Sequence, residues 1–277
     1  MALLRLVRER DRDRYLAALF APAGVRDSLL ALYAFNSEIA RAREVVREPI
    51  LGQMRLQWWR ETIAAIYEGG PVRRHEVAEP LAAAIRERGL SRAHFDRLIE
   101  AREADFADAP PADLAALEAY AEATSAPLVM LALQCFGLHD PAAEDMARAL
   151  GIAYALAGLV RAVPFHAKAR RLYLPADRLA AARLDPERTI FVGRFSDALG
   201  AVTGKVADRA RFHLAAARAR QTDIPRRARA ALLPAVVAAR VLKRLARAGH
   251  NPFAPDLQRP DAALPLALAL AAARGRV

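Results

Sequence analysis

The chain has a single cysteine, Cys135, among its 277 residues. No internal disulfide can form, and the thiol lies in the apolar run LVMLALQCF, where a buried, unreactive side chain is expected. A reducing compartment fits that usage. Aromatic residues are scarce at 6%, and no stretch alternates with the two-residue period of a strand. Few β-favouring rings beside abundant alanine predict closely packed helices. Long apolar runs are missing too, none reaching the roughly 20 residues that a spanning helix needs. The amino terminus, MALLRLVRERDRDRYL, has no apolar segment of the signal-peptide kind, and its acids argue against a transit peptide. A soluble chain with no signal peptide and no transmembrane helix is expected.

What is present is apolar bulk and positive charge. Hydrophobic residues make up 55% of the sequence, enough to bury a substantial core. The formal charge is +11, which raises nucleic acid or acidic lipid as a partner. Arginine is interleaved with Glu and Asp, as in RERDRDR, which is how solvated helix faces look. No nucleic-acid motif accompanies it, so nucleic acid is not expected as a partner.

Helix periodicity and Pro/Gly punctuation divide the chain. A charged helix is predicted over Arg8 to Leu19, ended by Pro22 and Gly24. Asp27 is the expected N-cap of the next, in which Leu32, Phe35, Ile39, Ala42 and Val46 form a core-facing stripe ended by Pro49. Leu51 to Tyr67 carries Trp58 and Trp59, of which one should point inward. Helices over Glu76 to Arg88, Ser91 to Phe106, Asp113 to Ala123 and Ala126 to Phe136 follow. The last is nearly all apolar and expected to be central. A long helix over Pro141 to Val163 is interrupted by Pro164. Short helices are expected around Asp177 and Glu187, then two long basic ones over Phe195 to Arg220 and Arg226 to Ala248. These two could lie against acidic lipid, although basic residues not confined to one end also suit a bundle helix. A terminal helix over Ala262 to Ala273 closes the chain. The pattern predicts one all-α domain over residues 1–277.

The blocks ALYAF, LQWWRE and RRLYLP resemble the squalene/phytoene synthase family. That resemblance implies the all-helical isoprenoid-synthase fold, a bundle around a central cavity. In such synthases two aspartate-rich motifs on facing helices hold Mg²⁺ against the diphosphates of two prenyl substrates, neutralising the leaving group. This chain departs from the pattern at each motif. The D-D-x-x-D positions read Ala40, Arg41, Ala42, Arg43 and Glu44, and the D-x-x-x-D ends fall at Ala162 and His166. Pro164 stands between the latter two. One shifted carboxylate beside guanidinium groups is a poor divalent-cation site.

The blocks AFNSEIA and LVRAVPFHAKARRLYLP resemble a branch of the family that serves assembly of the respiratory NADH dehydrogenase, complex I. What this implies is a synthase-like accessory factor without catalytic residues, metal or other cofactor. Its partners would be complex I subunits or assembly intermediates, and its place cytoplasmic, peripheral at the inner membrane. Two views of the cavity stay open. In one, fixed positive charge replaces metal: Arg41, Arg43, Arg161, His166, Lys168, Arg170 and Arg171 are the candidate ligands of an acidic lipid or prenyl diphosphate, with Tyr33, Phe35 and Tyr173 lining the cavity. In the other, side chains fill the cavity and the arginines pair with Glu38, Glu44 and Glu48. The alternative function is an active Mg²⁺-dependent prenyltransferase whose acids come from elsewhere, such as Glu100, Glu103 or Asp105. The number of carboxylates on the facing helices separates the two functions.

Overall fold

The computed structural model describes residues 2–46, 48–140 and 143–277, and every regular element among them is helical. The first charged segment is two helices rather than one. α1 (Ala2–Arg10) and α2 (Arg12–Ala18) part at Asp11, whose carboxylate accepts the Arg14 amide at 3.1 Å and caps α2. α3 (Ala23–Ala40) starts behind Pro22, which is its N-cap in an extended conformation, and not at Asp27. It is buried on nearly all sides from Ser28 to Ile39. It also ends well before Pro49, which instead opens α4 (Pro49–Tyr67) in its first turn, where a missing amide hydrogen costs nothing.

α5 (Ala78–Arg88) stops on Gly89, which takes the left-handed φ of +60° that suits a residue without Cβ. α6 (Arg92–Ala101) runs into a 3-10 turn over Arg102–Phe106. α7 (Leu114–Cys135), capped by the Asp113 carboxylate on the Ala116 amide at 2.8 Å, is continuous where two helices were predicted. Pro127 removes one internal hydrogen bond without ending the helix, since the surrounding residues from Thr124 to Cys135 are buried and hold the backbone in place. The predicted start of the next helix at Pro141 lies outside the described residues; the helix seen is α8 (Glu144–Arg161). Pro164 opens α9 (Val163–Lys168) rather than kinking α8.

α10 (Ala176–Ala181) and α11 (Asp197–Ala219) follow, whereas Glu187 lies in turns, not in a helix. A 3-10 turn over Arg226–Leu232 precedes α12 (Pro234–Arg247), and α13 (Pro255–Gln258) and α14 (Leu264–Arg274) complete the order. α7 and α8 form the centre. α8 packs on α7, α11 and α12, and α7 also meets α3 and α6. Gly151 permits the closest approach of the central pair: a Cβ there would lie 2.6 Å from both Cα and N of Ala126. Buried apolar residues from Leu6 to Leu268 share one core. Within it Phe35 meets Trp59 and Phe95 edge-on, with centroids 5.1 and 5.3 Å apart. Cys135 is fully buried, and burial pushes its thiol up to about 12, so it is un-ionised and inert.

Candidate functional site

A cleft of about 510 Å³ opens where the last turn of α3 meets the ends of α8 and α9. Ala40 and Arg41 line one wall, and Arg161, Ala162 and His166 the other. The two stretches singled out in the sequence therefore do face each other across a shared space. A further wall comes from the junction of α1 and α2, residues 9–14, and another from Arg102 and the α7 residues Tyr120, Thr124 and Ser125. The sequence placed residues 9–14 on a charged helix but not at the cavity, because their contacts are remote. Arg161 donates to Asp13 at 2.7 Å across 148 positions.

Charge in the cleft is arranged by pairing. Arg14 donates to Asp11 at 2.7 Å and lies over the Tyr154 ring. Burial pulls against its charge, but Tyr154 and Asp11 more than offset this, and the guanidinium stays protonated with its pKa raised. Glu38, only 8% exposed, takes Arg10 on one oxygen and Arg55 at 2.9 Å on the other, tying α1, α3 and α4 together. Arg41 reaches Glu44 only at 3.8 Å. Burial raises the Glu44 pKa, and Arg41 only partly counters it.

Behind His166 lies a buried polar knot. The Asp105 carboxylate accepts the hydroxyls of Tyr120 at 2.6 Å and Tyr173 at 2.9 Å, and Arg102 stands 3.4 Å from its other oxygen. Burial, then the Asp105 charge, pushes the Tyr173 phenol up to about 12. The His166 ring packs against Tyr173 with centroids 4.6 Å apart and the planes tilted by 53°, and its buried Nδ1 has no partner. Burial first, and Arg171 second, hold this imidazole down to about 4, so it is neutral at pH 7.

Other sequence candidates stand elsewhere. Phe35 is core, and Tyr33 is buried beside Arg14 with its phenol pKa raised by burial. Arg43 and Glu44 are not among the cleft-lining residues, and Lys168 is exposed. Arg170 pairs with Glu187 and, with Arg171 and Tyr173, lines a separate hollow of about 210 Å³. α9 ends at Lys168, and Arg170 turns away with a positive φ of 54°. Among the residues that sequence reasoning missed are Asp11, Asp13, Arg14, Arg102 and Tyr154.

The donor set does not fit a magnesium cluster. Among the described residues no three His, Cys, Asp or Glu side chains are placed to share a metal ion, whereas Mg²⁺ bound to protein and diphosphate needs oxygen ligands from several carboxylates. Asp11 and Asp13 face the cleft but are each engaged by an arginine, and Asp105 is committed to two tyrosines and Arg102.

Helices packed around such a cleft define an all-α synthase-type bundle. The squalene/phytoene synthase family pattern matches residues 7–266, and the chain belongs to that family. The structure superposes on a dehydrosqualene synthase in complex with ligand at a TM-score of 0.85 and 17% identity, covering 99% of this chain and 94% of that one. Against the squalene synthase HpnC of Alicyclobacillus acidocaldarius the TM-score is 0.79 at 22% identity, over 91% and 94% of the two chains. The fold is the isoprenoid-synthase bundle. In sequence, the chain is 34% identical to NADH dehydrogenase (ubiquinone) complex I, assembly factor 6, of Bos taurus, over 99% of this chain and 81% of that protein. It is also 29% identical to the presqualene diphosphate synthase of Rhodopseudomonas palustris, over 77% and 75%.

Proposed function

We propose that this protein is a non-catalytic accessory factor acting in assembly of a respiratory NADH dehydrogenase, complex I, and that residues 1–277 form one domain. The near full-length likeness to assembly factor 6 supports the accessory role. The observation that carries the loss of catalysis is the chemistry of the cleft. Ala40, Ala162 and His166, the positions that the family resemblance aligns with the synthases' metal-binding acids, line the cleft, and of its acids Asp11 and Asp13 are each paired with an arginine. The cleft then serves as a binding site for a single anionic group, a lipid phosphate or a prenyl diphosphate, on Arg41, which is only loosely paired, with Arg161 shared between that group and Asp13.

Removing the gene from its host and resolving membrane complexes on native gels tests the role. The expected result is less assembled NADH dehydrogenase, restored by the returned gene, while other respiratory complexes are unchanged. Unaltered NADH dehydrogenase overturns it. Likeness to presqualene diphosphate synthase supports the second reading, a prenyltransferase with altered ligands. Purified protein incubated with farnesyl diphosphate and Mg²⁺ decides between them, since sustained pyrophosphate release supports only the enzyme.

A further inference from the structure

Half of the buried side-chain polar atoms that lack a hydrogen-bond partner among the described residues belong to one place. They are Asn36 Oδ1, Arg102 Nε, Ser125 Oγ and His166 Nδ1, and all four residues line the cleft between α3 and α8. An orphaned buried polar group costs stability, so folded chains seldom leave several together. Asn36 and Ser125 are the most enclosed of the four, at 5% and 3% exposure. Neighbouring hydroxyls of the lining are satisfied within their own helices, Ser37 on the Tyr33 carbonyl at 2.9 Å and Thr124 on that of Tyr120 at 2.7 Å. Ser125, beside Thr124 on α7, makes no such bond. Asn36 lies one turn before Ala40 on the same face of α3, further into the bundle than Arg41. Among the described residues neither end of its amide is hydrogen-bonded.

An amide and a hydroxyl can each give and accept a hydrogen bond, which is what a ligand hydroxyl does in return. We propose that the cleft takes a phosphorylated polyol, with its phosphate at Arg41 and its hydroxyls on Asn36 and Ser125. This rests on the reading of the cleft as an anion site and selects between the two anions named for it. A prenyl diphosphate would bring a hydrocarbon tail into the same space. There Leu159 is the only lining residue with a large aliphatic side chain, and a tail laid over Asn36 and Ser125 would leave both without partners. A polyol phosphate occurs as a free ester and as the headgroup of a phospholipid, and offers the same groups in either form.

Isothermal titration of the full chain with inorganic phosphate, sn-glycerol 3-phosphate and myo-inositol 1-phosphate tests it. At least one of the esters should bind about tenfold or more tighter than phosphate, given about fivefold for each added neutral hydrogen bond. Farnesyl diphosphate should gain nothing over inorganic pyrophosphate. In the Asn36→Ala/Ser125→Ala variant the advantage of the ester should vanish while phosphate binds as in the parent. Its Tm should hold or rise, because no hydrogen bond is lost with either group. Equal weakening of phosphate and ester in that variant would mean that the two residues only shape the cleft, and would overturn the proposal. So would esters that bind no tighter than phosphate, or a gain for farnesyl diphosphate over pyrophosphate; each of these leaves the anion site standing. If neither inorganic anion binds, or if Arg41→Glu leaves their binding unchanged, the anion-site reading itself fails and this one with it. Dihexanoyl phosphatidylglycerol, kept below its micelle concentration, separates the sources: binding tighter than sn-glycerol 3-phosphate supports a lipid headgroup, and weaker binding supports the free ester.

Discussion

Arg14 lies across Tyr154, its guanidinium carbon 4.4 Å from the ring centroid, while its Nη1 holds Asp11 at 2.7 Å. The cation is thus satisfied from two helices at once, and the same contacts fix the α1–α2 junction against α8. Arg14→Ala leaves Asp11 without its counter-charge at a site where both side chains are less than 15% exposed. The expected cost is about 3 kcal/mol, a fall in Tm of roughly 6–12 °C for a chain of this size. Calorimetry of the purified variant checks it, and an unchanged Tm would contradict the pairing.

His166 is a neutral, half-buried imidazole held down to about 4, against an unfolded value near 6.5. Between those values the unfolded chain binds the extra proton. Its contribution to stability is therefore complete above pH 6.5 and is lost as pH falls toward 4, by at most about 3 kcal/mol. His166→Phe keeps an aromatic ring against Tyr173 and removes the titration. Its denaturant midpoint should fall less steeply across pH 6.5 to 4 than the parent's; parallel curves would exclude His166 as the source.

Asp105 is the hinge of the buried knot. An amide in its place can still accept a tyrosine hydroxyl but cannot balance Arg102, whose side chain is only 14% exposed. Asp105→Asn should cost about 3 kcal/mol, and Arg102→Met added to it should recover at least half. Urea unfolding of the single and double variants reads this coupling directly.

Gly151→Ala places a methyl group against the backbone of Ala126, which cannot step aside as a flexible side chain would. About 2–3 kcal/mol of destabilisation is expected, because the central helices must separate. Gly158, on the same helix with open space around it, is the matched control. There alanine should be neutral or stabilising by about 0.5–1 kcal/mol through helix propensity.

Most of the helical order could be read in the sequence because Pro, Gly and apolar periodicity are local signals. Trp58 and Trp59 illustrate the success: adjacency required them to diverge, and Trp59 is buried while Trp58 is partly so. Errors came where context outweighed local preference. Pro127 lies within α7 because burial on all sides fixes the backbone around it, and Pro49 and Pro164 start helices that they were expected to end or break. In the site, the facing of Ala40 and Ala162 followed from helix periodicity plus the family resemblance. The wall built from Asp11, Asp13 and Arg14 did not, since pairs such as Arg161 with Asp13 join distant segments and leave no mark on either. Arg170 and Arg171 looked continuous with His166 in sequence, but the chain turns at Arg170 and carries them to another hollow.

The arginines at the cleft give it a positive wall that is part of the polypeptide rather than drawn from solution. A guanidinium remains charged at any pH a cell reaches. An anion held there would be indifferent to a chelator and would loosen as electrolyte is added, the reverse of a pocket clamped by magnesium.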